Sequence, residues 1–312
     1  MKKIEAVIFD VDNTLYDFTD FYNPAMEALI SGISKKSGVS KDQLITEFKA
    51  LHQREGTSEY VFAVQELPSL QKLHPGQDIV EIYQDAIYDF RKARKEHLKL
   101  YDGVYETLKQ LKDSGTRLIA YTESPGYHAM SRLKQLGLDG LLDVVYSMPD
   151  HKIPKNVDLD VVRMYPDSKY RFKETEMRFT PKGIMKPNPA SVKAILHDLN
   201  IDKDKVLYVG DHLMKDVSMA KKLGLNSAHA SYGVYMDPKK YGLLPRLSFW
   251  TDEMLEKEKK FHDANPVKPD VTLQTMSDLL KHYDFVAYQA KPKKHNHFTP
   301  SPLEVVLLLR TS

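Results

Sequence analysis

The chain has 312 residues, 42% apolar and 28% charged, with 45 basic against 43 acidic side chains and no cysteine. A net charge of +2 excludes a global field for nucleic acid or anionic membrane, and the lack of thiols excludes disulfides, thiolate metal sites and cysteine nucleophiles. No window reaches the ~18–20 apolar residues of a membrane span, and the apolar run after Met1-Lys2-Lys3 is too short for a secretion signal, so a soluble, cytoplasmic protein is expected.

Ala6-Val7-Ile8-Phe9 reads as a buried strand that stops at Asp10-Val11-Asp12-Asn13-Thr14. Two acids on a turning loop just past a strand can converge on one point, where they repel unless a cation or a shared proton relieves them. Alone, the pair reads first as a polar turn. Residues 17–100 then carry helical spacing: Met26, Leu29, Ile30 and Ile33; Leu44, Ile45, Phe48 and Leu51 after the N-cap candidate Ser40; Tyr60, Val61, Val64 and Leu67; and Ile79, Ile82, Tyr83, Ile87 and Phe90. Four helices with no strand between them describe an inserted all-α module. Tyr16, Phe18, Phe21 and Tyr22 should line the gap between this module and the rest, as a substrate wall or as hinge packing. The run Arg91-Lys92-Ala93-Arg94-Lys95 reads as a solvated helix face, with phosphate steering as the minor alternative.

From Tyr101 strands and helices alternate. Strands are expected at residues 117–122, 144–146, 206–209 and 226–230, with helices near residues 104–111, 129–136, 190–199 and 217–223. This rhythm predicts an α/β fold with a doubly wound parallel sheet, whose ligands bind beyond the carboxyl ends of the strands. Asp10, Thr122 and Asp211 all fall at such ends. Residues 147–185 and 232–269, rich in proline and charge, break the rhythm and read as insertions or long loops near the sheet edge. Residues 276–283 look like a last core helix. The tail holds His295 and His297 in a basic stretch, then an apolar run at 303–309, either an added strand or a partner-binding segment. The expected division is therefore a core of 1–16 and 101–283, a helical module of 17–100 and an extension of 284–312.

One reaction uses these strand ends together. Asp10, nearest the strand, suits a nucleophile that accepts a phosphoryl group. Asp12 can protonate the leaving oxygen and later deprotonate water. The charge calls for Mg²⁺, held by Asp10, Asp211 and Asp216 with the Asp12 carbonyl as a neutral ligand. Lys186, in Met185-Lys186-Pro187-Asn188-Pro189, can set a fixed charge against the phosphoryl oxygens, and the Thr122 hydroxyl with nearby backbone N–H groups can donate to them.

At this point the chain resembles the haloacid dehalogenase-like (HAD) superfamily. Asp10-Val11-Asp12-Asn13-Thr14 is similar to its first motif, Thr122 after an apolar strand to its second, Lys186-Pro187 to its third and Gly210-Asp211-His212-Leu213-Met214-Lys215-Asp216 to its fourth. The resemblance covers roughly residues 4 to 283 and implies that the helical module is a type C1 cap, a mobile lid, and that the first strand is central. It also implies the roles above, with Thr14, Thr122, Glu123 and Lys186 around the substrate. Two departures stand out. Glu123 follows Thr122 where many members have Asn, and the interval before Lys186 is about twenty residues longer than usual, which makes Lys182 and Lys152 the nearest substitutes. Asp12 argues against dehalogenation, and Asn13-Thr14 looks more like the phosphatases than the phosphomutases. A closing cap favours a small soluble phosphate ester, such as a sugar phosphate, a phosphoglycolate-like acid or a nucleoside monophosphate. A phosphomutase and a non-catalytic scaffold are the alternatives; no nucleic-acid or membrane partner is expected, and self-association is open.

Overall fold

A computed structural model describes residues 1–155, 167–234, 241–264 and 267–289. His295, His297 and the apolar run of the tail lie outside the described residues. Among the described residues nine strands appear in chain order: β1 (Lys2–Ile4), β2 (Ala6–Phe9), β3 (Arg117–Pro125), β4 (Val144–Met148), β5 (Glu176–Phe179), β6 (Val206–Gly210), β7 (Asn226–Ala230), β8 (Val271–Leu273) and β9 (Tyr283–Phe285). Seven form one parallel sheet in the order β5-β4-β3-β2-β6-β7-β8, so β2 is central; β1 and β9 make a separate parallel pair.

Strand β2 is wholly buried because it is covered on both faces. Val7 and Phe9 face one apolar cluster with Leu118, Ala120, Leu207 and Val209. Ala6 and Ile8 face the other, with Ile119, Tyr121, Val206 and Tyr208. Each Val, Leu, Ile and Phe side chain among them adds about 1.5–3 kcal/mol by burial, and shifting β2 by one residue would exchange both faces at once. Register therefore fixes where the chain leaves the sheet. Phe9 pairs with Ala120 and Val209, and the Asp10 N–H donates to the Val209 carbonyl at 2.8 Å.

After β2 come α1 (Phe18–Ser37), α2 (Lys41–Glu55), α3 (Pro68–Leu73), α4 (Ile79–Ile82) and α5 (Gln84–His97). Asp17 caps α1 by accepting from the Thr19 and Asp20 N–H groups, and Ser40 caps α2 as expected. The apolar interior of these helices is continuous with one face of the sheet. Tyr60 to Leu67 does not form the expected helix. Pro68 disfavours the helical conformation at Leu67, which is extended, and takes the first helical position of α3 itself. The apolar run from Ile79 to Phe90 is likewise two helices, divided at Tyr83.

The remaining helices among the described residues are α6 (Val104–Asp113), α7 (Gly126–Gln135), α8 (Asp167–Tyr170), α9 (Pro189–Leu199), α10 (Ser218–Leu223), α11 (Leu244–Leu247), α12 (Asp252–Asp263) and α13 (Leu279–His282). Residues 276–283 give a 3₁₀ turn, the short α13 and the start of β9 rather than one helix. The described parts of both off-rhythm segments are built into the structure. The first supplies edge strand β5, in register with β4. The second reaches the helical module: Arg246 pairs with Asp42 at 2.6 Å, and the buried His52 Nδ1 lies 2.6 Å from the Leu247 carbonyl. Among the described residues, no helix is long and apolar enough to cross a membrane.

Candidate active site

Four loops at the carboxyl ends of β2, β3 and β6 and ahead of α9 bring the expected residues together. Asp10 leaves β2 with one oxygen 2.5 Å from Lys186 Nζ and the other accepting from the Thr14 hydroxyl at 3.2 Å. Lys186 Nζ also donates to Asp216 at 3.0 Å and lies over the rings of Tyr121 and Tyr208, 4.7 and 5.7 Å from their centroids. Pro189 opens α9 and Asn188 caps it, accepting from the Ala190 and Ser191 N–H groups, which sets the direction in which Lys186 enters. Lys186 is thus the lysine at Asp10, despite the long interval before it.

Asp211 and Asp216 follow β6. Residues Leu213–Val217 form one π-helical turn, in which the Val217 N–H reaches back to the His212 carbonyl, and this widened turn points Asp216 inward. Tyr208 and the His212 N–H donate to the Asp216 carboxylate at 3.0 and 3.2 Å. Gly210 is required there, since a Cβ would lie 2.5 Å from the Asp216 carboxyl carbon. At Gly233 a Cβ would sit 1.7 Å from the Asn13 carbonyl oxygen. Asn13 itself takes a left-handed conformation, φ 59°, a geometry Asn tolerates, and its side chain accepts from the Phe18 N–H.

Carboxylate oxygens of Asp10, Asp211 and Asp216 lie within 4.8 Å of one another. Burial pushes Asp10 up from 3.8 to about 7, with Asp216 and Asp12 acting the same way against Lys186. Burial raises Asp211 well above the carboxylate range, and the charges of Asp10 and Asp216 add to it. Burial works to discharge Lys186 as well, but Asp10 and Asp216 outweigh it and hold its pKa well above the usual lysine value. Fully ionised, three crowded carboxylates around one ammonium would carry excess negative charge, and they offer only oxygen donors. That set fits a hard divalent cation.

Asp12 faces elsewhere. The Tyr16 hydroxyl donates to one of its oxygens at 2.5 Å; Ser124 and Thr122 donate to the other at 2.9 and 3.4 Å. Arg132 Nη1 stands 3.8 Å away and holds both oxygens of Glu59 at 3.0 Å. Glu123 accepts from the Lys186 N–H and from Lys215 Nζ, the latter at 3.0 Å, so it braces the lysine loop. The aromatic residues divide: Tyr16, Phe18 and Phe21 surround Arg132, while Phe21 and Tyr22 also line a cavity of about 890 Å³. Glu59, Arg94 and His128 share that lining, and the carboxylates of the Asp10 cluster do not. Arg94 departs from the solvated face expected of its run, turning inward over Phe21 and Phe90 at 5.9 and 5.5 Å. Arg132, Glu59 and Ser124 were missed by sequence reasoning. Arg132 carried a signal, since it shares the inward spacing of Ala129, Leu133 and Leu136; Glu59, in a loop, carried none.

The haloacid dehalogenase-like hydrolase family profile matches residues 4–224, and the chain belongs to that family. It is therefore a hydrolase with the HAD Rossmannoid core. Its curated relatives include a glyceraldehyde 3-phosphate phosphatase of Methanopyrus kandleri, 22% identical over 237 residues, 75% of this chain and 87% of the relative. A phosphorylated carbohydrates phosphatase of Thermotoga maritima is 26% identical over 211 residues, 64% and 89% of the two chains. Among solved structures, a HAD phosphatase from Thermococcus onnurineus aligns with a TM-score of 0.50 at 19% identity, covering 89% of this chain and 97% of its own.

Proposed function

We propose that this chain is a Mg²⁺-dependent phosphatase of small phosphate monoesters, with Asp10 as nucleophile. The observation that carries it is the placement of Asp10 at the end of the central strand, held between Lys186 and Thr14 beside Asp211 and Asp216. The relatives' phosphatase names support the same chemistry.

In this reading an Asp10 oxygen attacks phosphorus as the bond to the leaving oxygen breaks, and Asp12 gives its proton to that oxygen. Asp12 then takes a proton from a water molecule that attacks the phosphoryl group, and Asp10 and inorganic phosphate are released. Lys186 holds positive charge against the transferring oxygens. Asp10, Asp211, Asp216 and the Asp12 carbonyl would hold Mg²⁺, which supplies charge neutralisation at the phosphoryl oxygens. Thr14 offers a hydroxyl beside Asp10 and Thr122 one beside Asp12, and Glu123 acts indirectly by bracing Lys186 and Lys215.

Hydrolysis of p-nitrophenyl phosphate with and without Mg²⁺ tests the reading. Turnover is expected with Mg²⁺ and should vanish on chelation and return on re-addition; no turnover with any divalent metal would contradict it.

A further inference from the structure

Arg132 is almost fully buried, at 1% exposure, on α7 of the core. Its guanidinium lies 5.6, 5.7 and 5.4 Å from the ring centroids of Tyr16, Phe18 and Phe21. A buried guanidinium needs an anion, and this one takes it from the helical module: both oxygens of Glu59 lie 3.0 Å from Nη1. Glu59 is itself held in place, its backbone carbonyl 2.9 Å from His128 Nε2.

The second branch of the guanidinium determines a proton's direction. Arg132 Nη2 can only donate, and it donates to Ser124 Oγ at 2.6 Å. Ser124 must therefore spend its one hydroxyl proton elsewhere, and Asp12 Oδ2 at 2.9 Å receives it. With Tyr16 donating to Oδ1, the Asp12 carboxyl group is fixed in rotation, and Oδ1, which accepts that one hydrogen bond, keeps a lone pair for the proton it transfers. The Asp10 cluster is held by different donors, Lys186 and Thr14.

We infer that Glu59 and Arg132, acting through Ser124, are positioning residues for Asp12, so that seating Glu59 of the helical module aligns the acid that protonates the leaving group. The inference rests on the phosphatase reading of Asp12.

The test compares kcat/KM for p-nitrophenyl phosphate and phenyl phosphate, two esters of similar size. The first leaves as a stabilised anion and the second needs protonation. Both values report steps up to formation of the Asp10 phosphoenzyme. In Ser124→Ala, kcat/KM for phenyl phosphate should fall ~10-fold while that for p-nitrophenyl phosphate falls less than about threefold. Glu59→Gln should widen the same ratio, and thermal melting confirms that each variant is folded. Equal losses on the two esters, or no loss on either, would overturn the inference while leaving the phosphatase reading intact. A wild-type chain that turns over neither ester would overturn that reading, and the inference with it.

Discussion

Asp10 and Asp12 are two residues apart and belong to differently built regions. Among the described residues the partners of Asp10 come from the α/β core: Lys186 ahead of α9, Thr14 in its own loop, and Asp211 and Asp216 after β6. The network around Asp12 leaves the core, running through Ser124 and Arg132 to Glu59 between α2 and α3. The first region is fixed by sheet register and is present whenever the core is folded. The second is complete only when the helical module lies against α7. In the phosphatase reading, nucleophile and acid are therefore controlled separately, and only the acid senses the module.

Substitutions can break this comparison or sharpen it. Lys186→Met removes the one ammonium from the carboxylate cluster, and kcat should fall about 1,000-fold. Because the Asp12 side is untouched, phenyl and p-nitrophenyl phosphate should lose equally; unequal losses would merge the two regions. Glu59→Ala strands the buried Arg132 charge and should lower unfolding free energy by about 3–5 kcal/mol in urea titrations. Gly210→Ala drives a Cβ into Asp216, on the core side, at a cost of about 3 kcal/mol by the same measurement. The smallest effect is a pH dependence from His128, whose pKa burial lowers from 6.5 to about 4 despite the nearby Glu59. A depressed folded value means that stability is fully present above pH 6.5 and is lost as pH falls toward 4. About 2 kcal/mol should be gone by pH 5, and melting of His128→Gln should lose that part of the pH dependence.

The core side was the more legible region in the sequence. Short apolar runs ending in polar residues mark parallel strands, and parallel topology brings their ends together, so Asp10, Thr122 and Asp211 could be placed without coordinates. Lys186 was also legible, through the Pro-Asn-Pro turn that starts a helix. The spacing of apolar residues misled at Tyr60 to Leu67, where proline chemistry at Pro68 overrode helical periodicity. Strand β5 escaped notice because Glu176–Phe179 is only four residues long, and the alternation of Met177 and Phe179 with two charged residues is too brief to stand out. The Arg132–Glu59 pair joins residues 73 apart through tertiary packing alone, beyond the reach of any local pattern. The docking of residues 243–250 on α2 is illegible for the same reason.

The central claim, that Asp10 carries the phosphoryl group, has a direct measurement. The enzyme is quenched during turnover of p-nitrophenyl phosphate with Mg²⁺, reduced with borohydride to convert an acyl phosphate to its alcohol, and mapped by peptide mass spectrometry. Conversion of Asp10 to homoserine, absent in Asp10→Asn, is the predicted result. Steady turnover with Asp10 unmodified, or reduction at a different carboxylate, would contradict it.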